Sequence, residues 1–428
     1  MINLTIYIVQ QGDSVYSIAK KYGVTQQKLI VDNALENTER LMIGQALVIS
    51  SDNVRHTVKQ GESLYSIARQ YNTTVPAIIA ANPSITNPSQ IQVRQIIIVP
   101  VSSQKLGTID VNGYAFSTIN TGTLTRTLPH LTYISIFSYQ VRPDGSLVPI
   151  NDSSIIQAAR QRKVAPIMVI TNIEEGGSFS SDIAHTLLTN EQVQNTMITN
   201  IVNTLSKGYS GLDIDFEYIF PQDRESYNNF LRKITARLHP NGYTVATALA
   251  PKLNGTQTGL LYEAHDYPAH GQIVDHVILM TYEWGYTYSR QQPVAPINQV
   301  EKVLQYAVSV IPGKKILMGI PNYGYDWTLP YVQGSAARSL SHTAAINLAA
   351  REGARIQYNT VAQSPFFEYY DDNKKQHIVW FEDARSIEAK LKLVDKYNLG
   401  GVSYWTINTF FPQNWVVLES MYNVNKVL

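Results

Sequence analysis

The chain has 428 residues, 44% hydrophobic and 16% charged, a soluble globular composition with length for two or three domains. Lys and Arg number 34 against 33 Asp and Glu, so no global field recruits nucleic acid or an anionic membrane, and neutral polymers fit better as partners. Cysteine is absent, which excludes disulfides, thiol catalysis and cysteine metal sites, and none of the nine histidines falls in an H-E-x-x-H spacing.

The opening "MINLTIYIVQQGD" has no basic segment, apolar run or small-residue cleavage site, so no secretory signal is expected there. No apolar run reaches the roughly 18 residues that span a bilayer, so membrane insertion is not expected.

A repeat of about fifty residues follows, covering 5–49 and 56–100. "YIVQQGDSVYSIAKKYGV" returns as "HTVKQGESLYSIARQYNT", with Val9 matching Val58, Gly12 matching Gly61 and Asn33 matching Asn82. Each unit reads as a strand, a Gly-acid turn, a helix opening at Asp13-Ser14 or Glu62-Ser63, a second helix and a closing strand. The pattern resembles the LysM module, a βααβ unit of the kind that binds N-acetylglucosamine-containing glycans such as peptidoglycan and chitin. Two modules are expected, over 1–50 and 55–101. Arg94 stands where the first copy has Gly44, and the resemblance implies that the two copies differ in affinity. The bland reading of the pair is a spacer.

The polar "VSSQKLG" reads as a linker. From 106 to 428 strand and helix patterns alternate. Eight strands are expected, among them "LTYISIFSYQV", "VAPIMVITNI", "YSGLDIDFEYI", "HVILMTYEW", "KILMGIPNYGYDW" and "GGVSYWTIN", which predicts an α/β (β/α)8 TIM barrel. Period-two patterning within about 330–382, between strands seven and eight, predicts a small α+β insertion beside the barrel mouth.

The fourth strand carries Asp213, Asp215 and Glu217 at alternate positions, so all three acids share one face. In a barrel that face is the interior, which branched apolar side chains normally fill, and Glu217 falls at the carboxyl end, where barrel enzymes keep their chemistry. A shared divalent ion is disfavoured, because alternate residues on a strand stand about 7 Å apart. A structural ion-pair network lacks any Lys or Arg in the strand. No metal and no cofactor is expected.

The segment resembles the D-G-x-D-x-D-x-E signature of family 18 glycoside hydrolases, with Ser210 in place of the first Asp, and "MTYEWGY", "GIPNYGYDW" and "VSYWTIN" agree in order and spacing. The resemblance implies that Glu217 is the general acid, that Asp215 orients the substrate's own acetamido group, which acts as the nucleophile, and that Asp213 and Asp215 titrate as a pair. It also implies that Tyr282 hydrogen-bonds the acetamido oxygen and that Trp405 stacks on a sugar ring. Glu283 stands where Asp is usual and is expected to contact sugar or Glu217. Tyr114, Tyr323, Trp327 and Trp284 are candidates for further groove contacts. Gly176 and Gly177 in "EEGGSFS" either bring backbone close to substrate or form an ordinary turn.

Two LysM-like units ahead of such a barrel resemble the spore cortex-lytic N-acetylglucosaminidases of Bacillus-type spore formers. That implies a retaining enzyme on cortex peptidoglycan, bound by modules and barrel groove, made in the mother cell and placed on the spore without a signal peptide. The alternatives are a chitinase with chitin-binding modules and a non-catalytic glycan-binding coat protein.

Overall fold

The structure, a computed structural model, describes residues 4–36, 38, 41–51, 53–100 and 105–428. Positions 1–3 of the first expected module and 101–104 of the expected linker therefore lie outside the described residues. No described helix is long and apolar enough to cross a membrane.

Each repeat forms a two-stranded antiparallel sheet with two short helices. The first pairs β1 (Leu4–Ile8) with β2 (Ala46–Ser50), and the second pairs β3 (Asn53–Thr57) with β4 (Ile96–Pro100). The leading helices start at Ser14 and Ser63 because each serine accepts an N–H from the serine three residues on, which answers with its own hydroxyl in a capping box. Asn33 ties helix to sheet: its carboxamide donates to the Leu29 and Val48 carbonyls and accepts from Val48 N at 2.7 Å. Asn82 does the same for Ile78 and Ile98.

The barrel consists of β5 (Gly107–Phe116), β6 (Tyr133–Gln140), β7 (Ala165–Thr171), β8 (Gly211–Asp215), β9 (Thr244–Leu249), β10 (His276–Leu279), β11 (Ile316–Pro321) and a final strand, Gly401–Trp405. All pair in parallel, and Gly401–Trp405 closes the ring onto β5. Strands such as β7 and β11 are buried along their whole length, because helices cover the outside while side chains fill the inside.

The insertion is a five-stranded antiparallel sheet: β12 (Gly324–Leu329), β13 (Arg338–Leu340), β14 (Gln357–Asn359), β15 (Ser364–Tyr370) and β16 (Gln376–Trp380), with the helix His342–Glu352. It begins earlier than the sequence suggests. "GYDW" does not extend the seventh barrel strand but forms β12, which pairs with β13 and β16. The Asn322 N–H makes the last bond to the closing strand, on the Trp405 carbonyl at 2.8 Å, and its carboxamide donates to the carbonyls of Thr406 and Thr409, beyond which the chain turns outward.

The first module is docked on the barrel. Gln413, fully buried in the last helix (Pro412–Met421), donates to Asn33 Oδ1 at 2.8 Å and to the Ala46 carbonyl at 2.9 Å. Met42 joins an apolar cluster with Leu348, Ile356 and Phe367 of the insertion. Ile356 N–H donates to the Ile43 carbonyl at 3.1 Å, and a Cβ on Gly44 would stand 1.9 Å from the Ile356 oxygen. Gly44 is thus required by contact as well as by its φ of 86°. Arg94 holds the same left-handed backbone in the second module, where the matching surface is open: Val93 is 57% and Ile96 53% exposed.

Candidate active site

The regular ladder of β8 ends at Asp215, and Glu217 follows two residues later on the same face. Leu212, Ile214 and Phe216 point the other way into the packing between barrel and helices. Ser210 sits at the opposite end of the strand, roughly 20 Å of extended chain from Glu217, so the signature's missing first acid lies far from Glu217. Asp213 is deepest. The Tyr114 hydroxyl donates to its Oδ2 at 2.5 Å, while Asp213 Oδ1 and Asp215 Oδ1 are buried without a hydrogen-bond partner among the described residues.

Two side chains that the sequence does not single out hold the end of this strand. Asn172, directly after β7, accepts the Glu217 N–H at 3.0 Å and donates to the Glu217 carbonyl at 2.8 Å. His265 approaches from the other side. Its Nδ1 accepts the Ala250 N–H at 2.9 Å, so the proton sits on Nε2, which donates to the Phe216 carbonyl at 3.0 Å. Burial pushes the His265 imidazole down to about 4, which keeps it neutral in this role.

Above the acids opens a cavity of about 510 Å³. Asp215, Glu217, Tyr282, Glu283 and Trp405 all line it. Tyr282 is packed beside Gly319 of β11, where a Cβ would stand 2.7 Å from the tyrosine ring, so the glycine makes room for it. The half-buried Trp405 ends the last barrel strand, with the rings of Phe137 and Tyr114 edge-on at 4.9 and 5.3 Å. Phe137, Phe179, Tyr262 and Tyr286 complete the wall.

Of the four further aromatic candidates, Tyr114 lines the cavity and the other three do not. Tyr114 reaches the cavity floor, but its hydroxyl is committed to Asp213. Tyr323 does not line the cavity, and it donates a hydrogen bond to Glu283 Oε1, which also accepts from Tyr325 at 3.1 Å. Trp327 is a correction: it is 2% exposed, with its indole N–H donated to the Ser289 carbonyl, so it is core between insertion and barrel. Trp284 likewise packs against the main core and stays out of the cavity. The glycines Gly176 and Gly177 form a turn closed by the Gly177 N–H on the Glu174 carbonyl, and Phe179, not the glycines, reaches the cavity.

Burial sets the electrostatics. It pushes Asp213 up to about 7, against the lowering effect of the Tyr114 hydroxyl. Asp215 is raised well above the usual carboxylate range, by burial first and then by Glu217 and Asp213. Glu217 is pushed up to about 7 by burial and by the charge of Glu283. Glu283 is itself raised by the loss of hydration among its neighbours, an effect that the hydroxyls of Tyr323 and Tyr325 partly offset. Tyr282 is held fully protonated by burial and the surrounding acids. The site therefore presents a carboxyl that is half protonated near neutral pH, a neighbouring acid and a phenolic donor around one apolar-walled cavity, a set suited to acid-catalysed cleavage.

The chain belongs to the glycosyl hydrolases family 18, whose sequence model matches residues 110–409, and the LysM domain matches residues 7–50 and 56–100. It is a glycoside hydrolase on a TIM barrel. Over 99% of both chains it is 42% identical to the cortical fragment-lytic enzyme of Bacillus cereus. Its structure matches that of the Bacillus megaterium QM B1551 spore cortex-lytic enzyme SleL with a TM-score of 0.91 and 38% identity over 100% of each chain. The Bacillus cereus SleL structure matches with a TM-score of 0.85 and 41% identity over 99% of each.

Proposed function

We propose that the chain is a retaining, substrate-assisted N-acetylglucosaminidase that cuts spore cortex peptidoglycan after N-acetylglucosamine during germination. The observation that carries the chemistry is the Asp215–Glu217 pair, side by side at the floor of the cavity, with Glu217 raised to about 7. Glu217 donates its proton to the glycosidic oxygen. The acetamido oxygen of the sugar attacks the anomeric carbon, giving an oxazolinium ion, and water then opens it with Glu217 as base. With its proton passed to the deeper Asp213, Asp215 accepts the acetamido N–H and balances its growing positive charge, and Tyr282 donates to the acetamido oxygen. Trp405 is the apolar floor beneath the ring. Glu283 sets the charge around Glu217.

The choice of cortex over chitin rests on full-length relatives named for cortex lysis, which share both modules and the barrel. These relatives favour neither the chitinase nor the non-catalytic coat protein. A spore location accords with them, and synthesis in the mother cell is part of the same proposal. Two LysM domains that hold the glycan raise the local enzyme concentration on an insoluble polymer.

The test is release of reducing ends from purified cortex fragments, with chitin in parallel, by wild type and Glu217→Gln. N-acetylglucosamine at the new reducing end, lost in the variant, is the expected result. Cleavage of chitin alone would replace the assignment with a chitinase, and no cleavage of either would make the barrel a binding scaffold.

A further inference from the structure

The loop that leaves the catalytic cavity leads to a second hollow with a basic lining. Tyr286 lines the cavity, and the Ser289 N–H donates to its carbonyl at 3.0 Å, closing a turn. The next residue, Arg290, lines a hollow of about 890 Å³ together with Tyr331, Tyr370, Lys374 and Lys375. A turn brings its ends within about 7 Å and the next Cα is about 4 Å on, so Arg290 lies within about 11 Å of Tyr286 along the backbone path. The position is fixed: the Tyr331 hydroxyl donates to the Tyr288 carbonyl at 2.9 Å, and the Arg290 guanidinium stands 5.7 Å from the Tyr331 ring.

These cations are available. Arg290, Lys374 and Lys375 are exposed, and none forms an ion pair with a described residue. The acids of the same hairpin are turned elsewhere. Asp371 and Asp372 line a separate hollow with Asp326 and His377, and Asp371 Oδ1 is occupied by the N–H groups of Asn373 and Lys375. Glu368, two residues before Tyr370 on its face of the sheet, accepts from Gln376 Nε2 at 3.1 Å. Three unpaired cations with two tyrosines thus face one hollow beside the reaction site.

We propose that this hollow is a carboxylate-recognition subsite, which takes the carboxylates of the acyl and peptide substituents on an N-acetylated glycan held across the catalytic cavity. This deepens the reading of the barrel as a peptidoglycan hydrolase and rests on it. Chitin has no carboxylate to offer, so the subsite sorts the two polymers by charge where the sugar rings alone do not. Exposed charges also act mainly on encounter and register, which makes the preference salt-dependent.

The test compares the full chain with Arg290→Gln/Lys374→Gln/Lys375→Gln on soluble cortex glycan fragments, either native or with their carboxylates amidated. The quantity read is the ratio of kcat/KM for native to amidated fragments, which cancels any general loss of folding. A fall of about tenfold in the variant is expected from three weak exposed contacts, with the salt dependence flattened. Arg290→Lys/Lys374→Arg/Lys375→Arg is expected to keep the wild-type ratio. An unchanged ratio in the neutral variant overturns the subsite alone, as does an equal fall in the charge-conserving one. A wild type that cuts neither fragment overturns the peptidoglycan reading, and the subsite with it.

Discussion

Asn172 grips Glu217 by both backbone groups, accepting its N–H at 3.0 Å and donating to its carbonyl at 2.8 Å. The residue touches no reacting atom in the proposed mechanism, so its effect runs through the placement of Glu217. Asn172→Ala frees a peptide just past the strand end, and a misplacement of about 1 Å costs on the order of 100-fold in rate. The expected signature is a fall in kcat with little change in KM. A rise in KM at constant kcat would mean that Asn172 serves the groove and not the acid.

Glu217 must carry a proton to act, and its folded pKa is about 7. Activity is therefore expected to decline as pH rises through about 7. Removing the Tyr323 hydroxyl withdraws a hydrogen bond that favours ionised Glu283, so Glu283 stays neutral to higher pH and repels Glu217 less. In Tyr323→Phe the alkaline limb should move to lower pH. A limb that stays put or moves upward in a kcat/KM profile would break this chain of reasoning.

The buried acids cost stability at neutral pH. Asp213 has a folded pKa of about 7, above its unfolded value, so its contribution is fully present below about pH 4 and is lost as pH rises through about 7. Asp213→Asn keeps an acceptor for Tyr114 without the charge. It is expected to be more stable than wild type at pH 8, by on the order of 3 kcal/mol, and to lose that advantage at pH 4. Denaturant titrations at the two pH values measure the difference.

Docking of the first module can be probed at one atom. Gly44→Ala places a Cβ 1.9 Å from the Ile356 oxygen, which the interface must open to accept. A loss of about 1–3 kcal/mol in the barrel's own unfolding transition is expected. Arg94→Ala, at the matching and uncovered position, should leave that transition where it is. A fall in that transition from Arg94→Ala would show that the matching position is covered as well.

Much of this molecule is legible in its sequence because periodicity and repetition are local. The two copies, the eight alternating strands and the acids at every second residue of β8 all follow from spacing along the chain. What spacing does not carry are contacts made across the fold. Asn172 and His265 reach the strand end from 45 and 49 residues away and share no motif with it. Aromatic residues mislead for the same reason: Trp327 and Tyr325 are two apart on one face of β12, yet one is sealed in the core and the other holds Glu283. The difference between Gly44 and Arg94 is visible in the sequence, where it suggests unequal glycan affinity. The structure supplies another cause, since only Gly44 lies under the Ile356 carbonyl.

Because the first module is seated on the last helix and the insertion, the second is fastened at both of its ends. Upstream, the chain leaves β2 while still in the docked interface; downstream, the Leu106 N–H is already bonded to the Met421 carbonyl at 2.7 Å. The second module is thus the crown of a closed loop whose base is the catalytic body, not the far bead on a string. With both neighbouring segments anchored on the catalytic body, any polymer it grips is delivered close to the barrel. A single proteolytic nick on either side would release it from one anchor only.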